Sequence, residues 1–154
     1  MRAFFALALL AWAVSCKPTL LPNSDVEDTA ANRELYDVVE SYRLAMESRD
    51  ADRVMALVAK DFFDTSGTEN PADDYGYPEL ASRLKEDFGR TSALRLDIHL
   101  KSIEIKEDVA LIEYRFQSRA HVKFPVGDQW ITNTDVNRMR LKRADDGWRI
   151  ASGL

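Results

Sequence analysis

The chain has 154 residues, of which 45% are apolar and 31% are charged, and this composition suits one domain with a single hydrophobic core. Its net charge of −5 offers no electrostatic footprint for nucleic acid, so we expect no nucleic-acid partner. With one cysteine among these residues, folding cannot depend on a disulfide within them.

The first sixteen residues have the order of a secretory signal. Arg2 gives a positive start, and the apolar run at 3–14 is shorter than the roughly 20 residues that cross a bilayer. The sequence Ala13-Val14-Ser15-Cys16 resembles a bacterial lipobox, which implies removal of residues 1–15 and lipidation of Cys16. We therefore expect a lipid-anchored protein of the cell envelope, held by its acyl chains. The alternative is an ordinary secretory signal with an incidental cysteine.

Residues 16–31 contain two prolines and no sustained apolar period, so we expect an acylated cysteine followed by a flexible tether. The folded domain is then predicted over residues 32–154. Lys17, where an aspartate marks inner-membrane retention in enteric lipoproteins, favours the outer membrane of a Gram-negative bacterium.

Three helices are predicted at the start of the domain. The first follows an N-cap at Asn32 and places apolar residues at i, i+3, i+4 and i+7, from Leu35 to Met46. Asp50 is predicted to cap a second, shorter helix. A third is expected at 78–88, with Pro78 in its first turn and Gly89 as its end.

After Gly89 the apolar period changes from 3.6 to 2, which predicts an antiparallel meander. Strands are expected at 94–105, 110–124, 129–142 and 148–151, with a bulge near Lys101 and Ser102. Helices followed by such a sheet define an α+β fold, in which the helices cover the apolar sheet face.

Two stretches resemble the nuclear transport factor 2-like superfamily, also called cystatin-like or ketosteroid isomerase-like, with SnoaL-like domains among its members. Residues 42–62 are similar to its opening helix, Asp-containing turn and second helix ending in Asp61-Phe62. Residues 138–150 are similar to its closing hairpin, in which Gly147 precedes Trp148-Arg149-Ile150. The resemblance implies three helices packed in the concave face of a curved antiparallel sheet, forming a cone with a pocket at its mouth.

Strand alternation places one polar cluster inside the predicted cone: Tyr114, Asp135 and Asn137. These residues are candidates for orienting a ligand, and Asp135 is the candidate general base of an enzyme. In residues 132–137, polar side chains are assigned to both faces of the sheet. We therefore expect Asp135 at a hydrated rim instead of in a dry pocket. No spacing typical of a metal site or phosphate loop occurs, so no metal or cofactor is predicted.

We therefore expect a domain that binds a partner protein of the envelope or a small apolar ligand without catalysis. The rival hypothesis is an isomerase, dehydratase or cyclase that acts on a small carbonyl compound through a general base in the cone. The outer sheet face carries many charged residues, and interface cores are depleted of charge, so a large dry dimer through it is disfavoured.

Overall fold

The computed structural model describes residues 18–154, so the signal residues and Cys16 lie outside the described part. Three helices precede the main sheet: α1 (Ala30–Ser48), α2 (Ala51–Ala56) and α3 (Tyr77–Arg90). A short ribbon of β1 (Phe63–Asp64) and β2 (Tyr75–Gly76) lies between α2 and α3. None of the helices within residues 18–154 has the length and apolar character needed to cross a membrane.

The main sheet is antiparallel and follows chain order. Its strands are β3 (Thr91–Lys106), β4 (Val109–Val122), β5 (Gln129–Ala144) and β6 (Gly147–Ser152). The register shifts between Leu100 and Ser102, which confirms the predicted bulge. The helices and this curved sheet form the predicted α+β cone, with α1 packed against β3 and β6.

The helix ends differ from the sequence prediction in two places. Helix α1 starts at Ala30, because Thr29 and not Asn32 is its N-cap and accepts the Asn32 backbone N–H. Helix α3 continues through Gly89 to Arg90. Asp50 caps α2 as predicted, accepting the Arg53 N–H at 3.0 Å.

The predicted flexible tether is wrong for residues 20–29. Leu21 and Val26 are buried in the core, and the segment pairs with the edge of β3 through a bridge between Ser24 and Leu100. The Asn23 side chain adds a 2.8 Å hydrogen bond to the Ile98 carbonyl. Two apolar residues and an unpaired strand edge supply enough burial and hydrogen bonding to order a segment that lacks helical or strand periodicity.

Part of the core lies at the closed end of the cone, where the final hairpin meets the helices. Trp148 is 3% exposed, and Ile150 exchanges backbone hydrogen bonds with Leu57 and Ala59 after α2. Further fully buried side chains there are Val54, Ile112, Met139 and Leu141. The resemblance of the closing hairpin to its superfamily therefore coincides with a fully buried part of the core.

The outer face of the sheet is charged, as the alternation predicts. Glu113 binds both Lys101 and Arg138, and these cations hold the pKa of its carboxyl below the usual range. Trp130 is 53% exposed there, with the Arg119 guanidinium 4.5 Å from its ring centre. That this face disfavours a large dry dimer stays a prediction.

Candidate functional site

A cavity of about 200 Å³ lies between α1 and the inner face of the sheet. It is lined mainly by apolar side chains from α1, β3 and β4 and by three polar groups on the sheet. The lining residues are Tyr42, Met46, Leu94, Leu96, Ile98, Tyr114, Phe116, Ser118, Asn137 and Leu154. This is the pocket that the cone fold was expected to contain.

A polar clamp fixes the last turns of α1 beside the cavity. Glu47 accepts the backbone N–H of Leu96 at 3.0 Å and the Arg43 guanidinium at 2.9 Å. Because β3 is held to the helix in this way, Tyr42 and Met46, on the inner face of the same turns, stay against the cavity.

Tyr42 brings an unused hydrogen-bonding group to the cavity. Its side chain is 8% exposed, and its hydroxyl makes no hydrogen bond within residues 18–154. The hydroxyl is not fully buried, because within those residues Trp148 Nε1 is the one buried side-chain nitrogen or oxygen without a partner. Burial, with smaller contributions from Tyr114 and Tyr75, raises its pKa, so the hydroxyl is a neutral donor at physiological pH. The sequence placed Tyr42 on the core face of α1 and missed this role, and the only signal was a tyrosine at a position that suits phenylalanine or leucine.

Tyr114 and Asn137 are brought together as predicted. They are direct partners in the register of β4 and β5, and both line the cavity. The Tyr114 hydroxyl and the Asn137 amide donate to the same acceptor, the Gly153 carbonyl, at 3.2 and 3.4 Å. Burial raises the pKa of Tyr114 to about 12, which makes it a hydrogen-bond donor and not a base.

Asp135 does not line the cavity. It is exposed, as expected of a rim residue, and its carboxylate accepts the N–H of Val136, the next residue, at 2.7 Å. Asn137 accepts the Arg138 N–H in the same way. These side chains satisfy amides of the part of β5 that extends beyond β6, which protects an exposed sheet edge. The alternation of side chains along a strand assigns a residue to a sheet face, but it does not show whether that residue lies in the pocket or at an unpaired edge.

Asp64 is a buried carboxylate beside the cavity that sequence reasoning did not select. It is 8% exposed at the end of β1, and it accepts N–H groups from Ser66, Gly153 and Leu154. The Tyr75 hydroxyl donates to the Leu154 carbonyl beside it. A second depression, which adjoins the cavity at Asn137 and Leu154, contains Asp64 and Tyr75.

The cavity therefore presents hydrogen-bond donors in an apolar setting. Among the residues that line it there is no histidine, lysine, cysteine or carboxylate. His99 and His121 belong to the outer phase of the sheet, where His99 lies 3.2 Å from Asp25 and His121 packs on Trp130. In residues 18–154 no group of three histidine, cysteine or acidic side chains could hold a metal ion.

The arrangement of α1, the curved sheet and an internal cavity defines a nuclear transport factor 2-like domain. The model of the SnoaL-like domain matches residues 35–153, and the chain belongs to that family. In sequence, no curated protein matches it significantly.

Solved structures with the same fold include proteins named as enzymes. A conserved protein from Planctomyces limnophilus superposes with a TM-score of 0.70 and 15% identity, over 80% of this chain and 93% of the other. A putative dehydratase from Streptomyces avermitilis gives 0.62 and 15%, over 79% and 92%. A hexachlorocyclohexane dehydrochlorinase from Novosphingobium barchaimii gives 0.64 and 18%, over 80% and 84%. At these identities the similarity establishes the fold alone.

Proposed function

We propose that the domain binds a small, largely apolar ligand in the cavity under α1 and does not transform it. The observation that carries this proposal is the Tyr42 hydroxyl, which belongs to a residue lining an apolar cavity and makes no hydrogen bond within the described chain. A ligand with an acceptor oxygen would give this hydroxyl a hydrogen bond, with a net gain of about 0.5–1.5 kcal/mol. Apolar walls with a few placed polar groups are typical of small-molecule sites.

The volume limits the ligand to about one ring. A dry apolar cavity of roughly 150 Å³ admits benzene, so about 200 Å³ leaves room for a ring with a short polar substituent. A carbonyl is the substituent that a neutral phenol recognises best, because it accepts without having to donate. Acetophenone combines these features and serves as the probe.

Binding of acetophenone to the full chain is measured by NMR titration of the cavity residues. Tyr42→Phe should weaken binding by about tenfold, which corresponds to one hydrogen bond of roughly 1.4 kcal/mol. Tyr36→Phe, on the same helix but outside this cavity, is the matched control and should leave the affinity unchanged. Equal affinities of wild type and Tyr42→Phe would contradict the proposal.

The alternative function is an enzyme of the isomerase, dehydratase or cyclase type. Its support is that proteins of this fold include a putative dehydratase and a dehydrochlorinase, and that Asp64 lies next to the cavity. Three backbone N–H groups occupy most of the acceptor sites of Asp64, so a substrate proton could reach only the site that remains on Oδ1.

The same probe separates the two functions. A general base near the carbonyl would exchange the methyl protons of acetophenone for deuterium in D₂O, whereas a binder would leave them at the buffer rate. We expect no enzyme-dependent exchange. Exchange that Asp64→Asn abolished and Asp61→Asn preserved would establish the enzyme alternative.

We also propose that Cys16 carries the lipid anchor, because it follows an apolar run and a small residue. Expressed in a Gram-negative host, Cys16→Ala should move the protein from the detergent phase to the aqueous phase. Lys17→Ala, which keeps the cysteine, should stay with the membranes. A Cys16→Ala protein that still partitioned into detergent would overturn the assignment, and fractionation of the two membranes tests the outer-membrane proposal.

A further inference from the structure

The two residues after β6 close the mouth of the cone. Leu154 is half-buried and lines both the cavity and the adjoining depression. Gly153 has a φ of +91°, and a Cβ there would lie 2.0 Å from the Arg138 carbonyl oxygen. Only glycine can therefore bring the chain so close to β5 and direct the next residue over the cavity.

Four side chains from distant parts of the sequence hold these two residues. Asp64 accepts both of their N–H groups, the Gly153 carbonyl accepts from Tyr114 and Asn137, and the Leu154 carbonyl accepts from Tyr75. One anionic acceptor thus lies opposite three neutral donors. The peptide group that joins Gly153 to Leu154 is matched at both ends, its carbonyl by Tyr114 and Asn137 and its N–H by Asp64.

We infer that Asp64, Tyr75, Tyr114 and Asn137 form a recognition site for secondary amides bearing a small branched apolar group, and that Gly153–Leu154 occupies this site in cis. A ligand larger than the cavity enters when this segment leaves, and its amide replaces the lost hydrogen bonds. The inference rests on the proposed function, because it requires that the cone admits a ligand, and it adds the ligand class and the group that must move.

The probe is N-acetylglycyl-L-leucinamide, which reproduces both peptide groups and the leucine side chain. A chain ending at Ser152 should bind it at least about tenfold more tightly than the full chain, since a tethered occupant competes at an effective concentration in the millimolar range. Asp64→Asn in the shortened chain should remove most of that gain, while Asp61→Asn, an exposed neighbour, should not. Equal affinities, measured by calorimetry, would overturn the inference, as would a gain that Asp64→Asn leaves intact.

A second measurement keeps the full chain and covers the case in which the shortened chain fails to fold. Saturating probe should accelerate hydrogen exchange at the Gly153 and Leu154 amides about fivefold or more, because it displaces them from Asp64. Unchanged exchange overturns the inference. Acetophenone reports separately on the proposed function. If acetophenone binds and the peptide probe has no effect, only the amide site is rejected. If neither probe binds, the amide site and the proposed ligand-binding function are both rejected.

Discussion

The two ends of the cone use their buried volume differently. At the closed end, Trp148, Ile150 and Leu141 are buried together, and the Trp148 indole N–H is the one buried side-chain polar group without a partner in the described chain. At the mouth, Tyr42, Tyr114 and Asn137 surround a cavity, and a short segment covers it through hydrogen bonds. The difference teaches that packing at one end provides the stability that permits unfilled volume and polar groups at the other.

The largest expected effect lies at the closed end. Trp148→Ala should lower the free energy of unfolding by about 3–5 kcal/mol, because it removes a buried indole and leaves a void. Trp130→Ala, which truncates an exposed indole, should cost less than about 1 kcal/mol. Denaturant unfolding of both variants checks the contrast, and similar losses would show that the two ends do not differ in packing.

Alkaline pH should weaken the mouth. The folded-state pKa of Tyr114 is raised to about 12 against 10.0 for an unburied tyrosine, mainly by burial. The contribution of the neutral Tyr114 hydroxyl to the free energy of unfolding is complete below pH 10. It is lost as the pH rises toward 12, because tyrosine ionises at lower pH in the unfolded chain than in the folded one. The loss amounts to roughly 2–3 kcal/mol. Tyr114→Phe should reduce the fall in unfolding free energy between pH 9 and 11.5. Wild type and variant with the same pH dependence would contradict the burial of this hydroxyl.

Removing the Asp64 acceptor should have an intermediate effect. Asp64→Ala leaves the Gly153 and Leu154 N–H groups without their acceptor, at a cost of about 1–3 kcal/mol. Asp61→Ala breaks only an exposed ion pair with Lys142 and should cost less than about 1 kcal/mol. Thermal melts of the pair measure the difference, which would vanish if Gly153–Leu154 contributed nothing to stability.

The smallest stability effect is expected at Tyr42. Because its hydroxyl has no partner in the described chain, Tyr42→Phe should change the free energy of unfolding by less than about 0.5 kcal/mol, or raise it slightly. A loss above 1 kcal/mol in chemical denaturation would mean that the hydroxyl is already satisfied, and it would remove the main support for the ligand.

Elements with a strong period were predictable from sequence, whereas contacts between distant polar residues were not. The helices, the meander and the Leu100–Ser102 bulge follow from apolar spacing, and the pairing of Tyr114 with Asn137 follows from strand parity. Asp64 meets Leu154 across 90 positions, a contact for which no local pattern exists.

Two features at strand edges lay beyond the sequence patterns. Residues 20–29 read as a tether because their two buried apolar residues show no period, yet the free edge of β3 orders them. Asp135 was expected at the rim and is exposed, but alternation along the strand could not show that its carboxylate accepts the neighbouring N–H on the part of β5 that β6 leaves unpaired.

The ordered segment before α1 limits how far the domain can stand from a membrane. Only four residues lie between Cys16 and Leu21, which is fixed in the core, and the five residue-to-residue steps of a fully extended chain reach at most about 18 Å. If Cys16 carries acyl chains, this short connection keeps the domain close to the membrane and restricts its rotation. The β3 edge would stay next to the lipid headgroups, so the cone mouth would keep a fixed orientation relative to the bilayer.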